Sequence, residues 1–107
     1  MTTSLTNGTE MRNGDKLLEL IRRNGSFDIV NPLEIQKDNV TVSFWKYCFV
    51  IKNGNQGWIY CSEKITEDDF SLINQAVQNL LLTDEYIDPF HKDYAKMAMP
   101  FAIAEKK

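Results

Sequence analysis

The stretch Val40-Thr41-Val42-Ser43-Phe44-Trp45-Lys46-Tyr47-Cys48-Phe49-Val50-Ile51-Lys52, followed by Asn53-Gly54 and then Gly57-Trp58-Ile59-Tyr60-Cys61, decides the reading of this chain. β-Branched and aromatic side chains fill it almost without a break, and these suit a pleated, half-buried surface. Asn-Gly is the preferred dipeptide of a type I′ hairpin turn, whose two central residues both need positive φ. On this reading Val40–Lys52 is one long strand and Gly57–Cys61 returns beside it.

Side chains alternate across a strand, so the two faces can be written down. Val40, Val42, Phe44, Lys46, Cys48 and Val50 share one face, and Thr41, Ser43, Trp45, Tyr47, Phe49 and Ile51 share the other. Trp58 and Tyr60 join the second face whether the turn has two residues or four, because either register preserves parity. One face is then aliphatic, apart from Lys46. The other runs from Thr41 and Ser43 to the aromatics Trp45, Tyr47, Phe49, Trp58 and Tyr60. Left open, that face is a docking platform, since Trp and Tyr dominate interface hot spots. Two arrangements compete with it. A helix over the aromatic face makes it core, and a bulge near Phe44–Lys46 exchanges the faces and frees Lys46 from apolar neighbours.

The flanks supply the covering elements. Leu17, Leu18, Leu20 and Ile21 form one stripe of a helix from Asp15 to Arg23, with Gly25 as its left-handed cap. Phe27 and Ile29, then Leu33 and Ile35, alternate as strands do, and Pro32 between them marks an edge. Lys37-Asp38-Asn39 reads as a tight turn. Beyond the hairpin, Thr66 and Asp69 form a capping box and Ile65 staples onto Phe70. Phe70, Ile73, Val77, Leu80 and Leu81 follow at helical spacing. A third helix is expected over Pro89–Ala98, capped by Asp88, with Phe90, Tyr94 and Met97 on one side and Pro100 ending it. The expected fold is α+β: a three-stranded antiparallel meander packed by helices, ordered α-β-β-β-α-α. It occupies a single domain over residues 14–107 behind a flexible leader at 1–13.

Charge and composition limit what such a domain does. Residues 1–53 carry seven Lys/Arg against six Asp/Glu, while residues 54–107 carry five against nine. No basic tract neutralises phosphates, which argues against direct nucleic-acid binding. The acid concentrates at Glu63, Glu67, Asp68, Asp69, Asp84, Glu85 and Asp88. No apolar run approaches the roughly 18 residues that span a bilayer. Two cysteines make no disulfide scaffold, so the expected compartment is cytoplasmic. The Asn-x-Ser/Thr triplets at Asn7, Asn24 and Asn39 are chance occurrences in an Asn-rich chain.

Catalytic and metal chemistry find little to stand on. His91 is the only histidine, so a Ser-His or Cys-His nucleophile must use it, and it is expected to face solvent in the first turn of a surface helix. Cys48 and Cys61 with His91 match no zinc-ligand spacing. Cys48 faces Cys61 across the hairpin only where paired positions sum to 109, as a four-residue turn gives; with Asn53-Gly54 as the turn it faces Ile59. The expected function is therefore a non-catalytic protein-binding domain (adaptor, chaperone or inhibitor) with no cofactor or metal. Its partner-binding residues are Trp45, Tyr47, Phe49, Trp58, Tyr60, Asp84, Glu85 and Asp88, and a homodimer through the sheet edge or face is one form of partner. Two alternatives belong to other classes. One is an acidic decoy in the basic site of a nucleic-acid-binding protein; the other is a small-ligand or redox protein using the aromatic face or the Cys48/Cys61 pair.

Overall fold

The computed structural model describes residues 13–103. Nearly all of the leader expected at 1–13, and the last four residues of the chain, lie outside the described residues. Helix α1 (Asn13–Gly25) is followed by β1 (Asp28–Asn31), β2 (Glu34–Lys37), β3 (Val40–Trp45), β4 (Cys48–Asn53) and β5 (Gln56–Cys61). Two short 3-10 turns, Ser62–Lys64 and Glu67–Asp69, lead into α2 (Phe70–Thr83), and β6 (Met99–Ala102) comes last. The strands form one six-stranded sheet in chain order, every neighbouring pair antiparallel. The class is α+β, but the three-stranded meander and the α-β-β-β-α-α order are corrected by this topology.

Val40–Lys52 is not one strand. It folds back on itself at Lys46-Tyr47, with Val40 opposite Asn53 and Trp45 opposite Cys48. Both turn residues keep negative φ, so the turn forms without the Gly or Asn that marks most hairpins. The physical motive is Lys46, which a continuous strand would aim among Phe44, Cys48 and Val50; in the turn it is exposed. The next hairpin closes at Asn53 opposite Gln56, with Gly54 at φ 61. Its turn is therefore Gly54-Asn55, and paired positions do sum to 109.

The third helix does not form. Single turns persist at helical spacing, with the amides of Lys96 and Met97 both donating to the Asp93 carbonyl. Phe90 is buried but Tyr94 remains 85 % exposed, so the expected stripe does not bury as one helical face. The segment instead ends in β6, which lies on the edge of the sheet beside β5. Pro100 suits that position, since its missing N–H would have faced outward from the edge strand. The left-handed residue after α1 is Ser26 (φ 57) rather than Gly25. Gly25 is needed for a close approach instead, because a Cβ there would lie 2.6 Å from the Phe27 ring.

Both helices pack on one face of the sheet. Leu17, Leu18 and Ile21 of α1, and Phe70, Ile73, Val77 and Leu80 of α2, form one cluster with Ile35, Val42, Phe44, Phe49, Ile51 and Tyr60. The start of α2 is held as its capping residues require. The Thr66 amide and hydroxyl both donate to Asp69 Oδ2, at 2.8 and 2.9 Å, and Lys96 Nζ reaches the same oxygen at 2.8 Å. At its other end Asp84 takes a left-handed conformation (φ 62) and donates its amide to the Leu80 carbonyl. Asp84 Oδ1 accepts from Asn53 Nδ2 at 2.8 Å, which ties the helix to the β4–β5 turn. No helix among the described residues is long and apolar enough to cross a membrane.

Candidate functional site

The turn at Lys46-Tyr47 reverses the parity on which the expected aromatic face rested. Paired positions of β3 and β4 sum to an odd number, so an odd residue of β3 shares a face with an even residue of β4. Phe49 and Tyr60 consequently lie on the helix-covered side, at 1 % and 0 % exposure. Trp58 lies on the same side and stacks on Tyr86, with ring centroids 4.7 Å apart. Trp45 points to the opposite face at 63 % exposure, and Tyr47 is exposed in the turn. The five aromatics do not form one platform.

A different apolar surface takes its place. Register puts three cross-strand rows on the face that the helices leave uncovered. One row is Gln36, Thr41, Lys52, Gly57 and Phe101; the next is Glu34, Ser43, Val50, Ile59 and Met99; the last is Trp45, Cys48 and Cys61. The β2 side is polar, and the β4–β6 side is apolar. Val50 is buried yet stands outside the core cluster, because its cover comes from neighbours on this face. The Phe101 ring lies over Gly57, where a Cβ would come within 2.3 Å of it. Met99 stands 72 % exposed at the edge. The Trp45 indole N–H donates to Ser43 Oγ at 3.2 Å, which fixes the ring beside a cleft of 300 Å³ bordered by Leu33, Glu34, Ser43 and Lys46.

The acidic candidates divide in a similar way. Asp84 and Glu85 are exposed, but Asp88 is half-buried and engaged internally. Asp88 Oδ1 accepts from the Tyr60 hydroxyl at 2.8 Å and from the Phe90 amide at 3.0 Å; Oδ2 accepts from the Ala98 amide at 2.7 Å. Tyr60 and Tyr86 share a short hydroxyl contact beside it. Burial pushes the Tyr60 phenol far up, with Tyr86 and Asp88 adding to the effect. Burial also raises Tyr86; the bond to Tyr60 opposes this and Asp88 reinforces it. Both phenols stay protonated through neutral pH, so they serve as hydrogen-bond donors and not as bases. Asp69 is spent on Thr66 and Lys96. The carboxylates of 63–88 are thus partly built into the fold and are not all arrayed along one surface.

Cys48 and Cys61 are free thiols directly opposite each other on the uncovered face, Cys48 half-buried and Cys61 exposed. Among the described residues no group of three or more His, Cys, Asp or Glu is placed to hold a metal ion. His91 is exposed. The uncovered face was missed in the sequence because Val50, Ile59, Met99 and Phe101 come together only once the turn at Lys46-Tyr47 and strand β6 are known. The chain matches no family model, and neither a curated protein nor a solved structure matches it.

Proposed function

We propose that the chain is a non-catalytic domain that docks a protein partner on the uncovered face of its sheet, as an adaptor, chaperone or inhibitor. One observation carries this reading: both helices lie on one side, and the other side offers Trp45, Cys48, Ile59, Met99 and Phe101 as an apolar patch around the buried Val50. Contiguous apolar surface of this kind, bordered by polar residues, is what interaction sites expose. Trp45 supplies an aromatic anchor, and the cleft beside it has room for an apolar side chain from the partner. Glu34, Thr41 and Lys52 form the polar border that such interfaces use to fix register. Tyr47 in the adjoining turn extends the contact surface. The exposed pair Asp84 and Glu85 lies outside the patch and assists association with a basic partner only at long range. A cytoplasmic setting belongs to the same reading, since two cysteines are too few for a disulfide scaffold.

The test is a truncation in the full chain. Trp45→Ala should weaken capture of the partner by about 2 kcal/mol or more, roughly 30-fold, because a central aromatic anchor is lost. Gln75→Ala, on the exposed side of α2, should leave capture unchanged. Equal loss from both substitutions, or from neither, places the partner elsewhere.

A further inference from the structure

We infer that Cys48 and Cys61 form a reversible cross-strand dithiol–disulfide couple on the uncovered sheet face, with Cys61 as the attacking thiol and Cys48 as the resolving one. The inference does not depend on the docking reading. Cys48, the first residue of β4, is paired with Cys61, the last residue of β5. One step further along the same ladder, the Ser62 amide donates to the Tyr47 carbonyl at 2.7 Å. Bonded and non-bonded pairs alternate in an antiparallel ladder, so Cys48–Cys61 occupies a non-bonded position. There the Cα atoms approach to about 4.5 Å and side chains on the same face are closest. That separation lies within the roughly 4.4–6.8 Å range that disulfides span.

Exposure sets the order of attack. Cysteine is among the most buried residue types, and an inert structural thiol is normally enclosed. Cys61 is exposed, so an oxidant in solution can reach it. Cys48 is half-buried, and desolvation raises its thiol, with the neighbouring Cys61 adding to the effect. Cys48 is therefore the poorer first nucleophile, yet it faces the sulfur it must attack. The pair also stands in the same row as Trp45, so a bond formed there closes the end of the β4–β5 ladder within the apolar patch.

The oxidant required is a low-molecular-weight disulfide, R–S–S–R. Cys61 thiolate attacks one of its sulfurs, an S–S bond breaks, and RS⁻ departs, leaving a mixed disulfide on Cys61. Cys48 thiolate then attacks the Cys61 sulfur and displaces the second RS⁻. The two protons from the cysteine thiols end on the two departing thiolates. In total the protein dithiol loses two electrons and two protons, and one R–S–S–R becomes two R–SH.

The experiment incubates the full chain with oxidised glutathione and follows intact mass, free-thiol titration and a non-reducing peptide map. The expected result is a monomer that has lost both titratable thiols and two hydrogens, with the Cys48 and Cys61 peptides linked; dithiothreitol restores both thiols. Cys48→Ser should stop at a glutathione adduct on Cys61. Cys61→Ser should form its adduct at least about tenfold more slowly, because a burial-raised thiol presents less thiolate and less access. Persistent free thiols, two separate glutathione adducts, or disulfides only between chains would each overturn the inference in the unmutated protein. Equal adduct rates in the two variants would overturn the assigned order of attack.

Discussion

The hydroxyl of Tyr60, on β5, donates to the carboxylate of Asp88 at 2.8 Å, and the same carboxylate accepts the amides of Phe90 and Ala98. Asp88 thus fastens the connection between α2 and β6 to the core, beside the Tyr86–Trp58 contact and the Lys96–Asp69 pair. Asp88→Ala leaves two backbone donors without their acceptor, at about 1–3 kcal/mol for each buried group. We expect a loss of at least about 3 kcal/mol in a urea titration, with Tyr60→Phe costing about half as much. A smaller loss for Asp88→Ala than for Tyr60→Phe would mean that the connection is held by other contacts.

The Asp69–Lys96 pair, at 2.8 Å, gives stability a defined pH dependence. Burial acts to raise the Asp69 carboxyl, but the Lys96 ammonium and the two Thr66 donors outweigh it, and the net displacement is downward. Its contribution is complete above the unfolded value, about 3.9, and fades as pH falls through the lower folded value. The bond to Asp69 raises the Lys96 ammonium, so that half persists below about pH 10.4 and is lost only through the higher folded value. The stability gap between the unmutated chain and Asp69→Asn should be flat across neutral pH and close in acid. A gap of constant size down to the acid limit would assign the effect to capping geometry alone.

Gly14 reverses a common rule. Replacing a helical glycine by alanine ordinarily gains up to about 1 kcal/mol. Here a Cβ would lie 2.4 Å from the Phe44 ring, and overpacking of that kind costs about 1–3 kcal/mol. Gly14→Ala should therefore lower the thermal midpoint. A raised midpoint would show that α1 can shift away from β3 without loss.

Much of this arrangement is legible in the residues, and the exceptions have local causes. The helices could be read because their stripes and caps lie within one segment: Leu17, Leu18 and Ile21 in α1, and Thr66 with Asp69 before α2. The Lys37-Asp38-Asn39 turn could be read because Asp38 does take positive φ (54). The turn at Lys46-Tyr47 could not, since it uses neither Gly nor Asn and is flanked by strand formers on both sides. Lys46 was the one visible sign, as a charge that a continuous strand could not place. Strand β6 was hidden for another reason: its pairing with β5 spans about forty residues of sequence, and Pro100 resembles a helix stop as closely as an edge strand. Because the site lies on the face created by those two features, it was less legible than the fold.

Trp45 and Phe49, four residues apart, should behave as surface and core. Phe49→Ala should cost about 3–5 kcal/mol, whereas Trp45→Ala should cost less than about 1 kcal/mol. Denaturant midpoints measured side by side decide the matter. Similar losses would mean that both side chains are interior, and the uncovered face would not be open in the free protein.

Site-specific photo-crosslinking tests the docking account most directly. A benzophenone amino acid is placed at Met99, on the patch, or at Gln75, on the exposed side of α2, in the full chain inside cells that make it. The account predicts a discrete crosslinked protein from position 99 that disappears with Trp45→Ala, and none from position 75. The same product from both positions, or a product from position 75 alone, would contradict it.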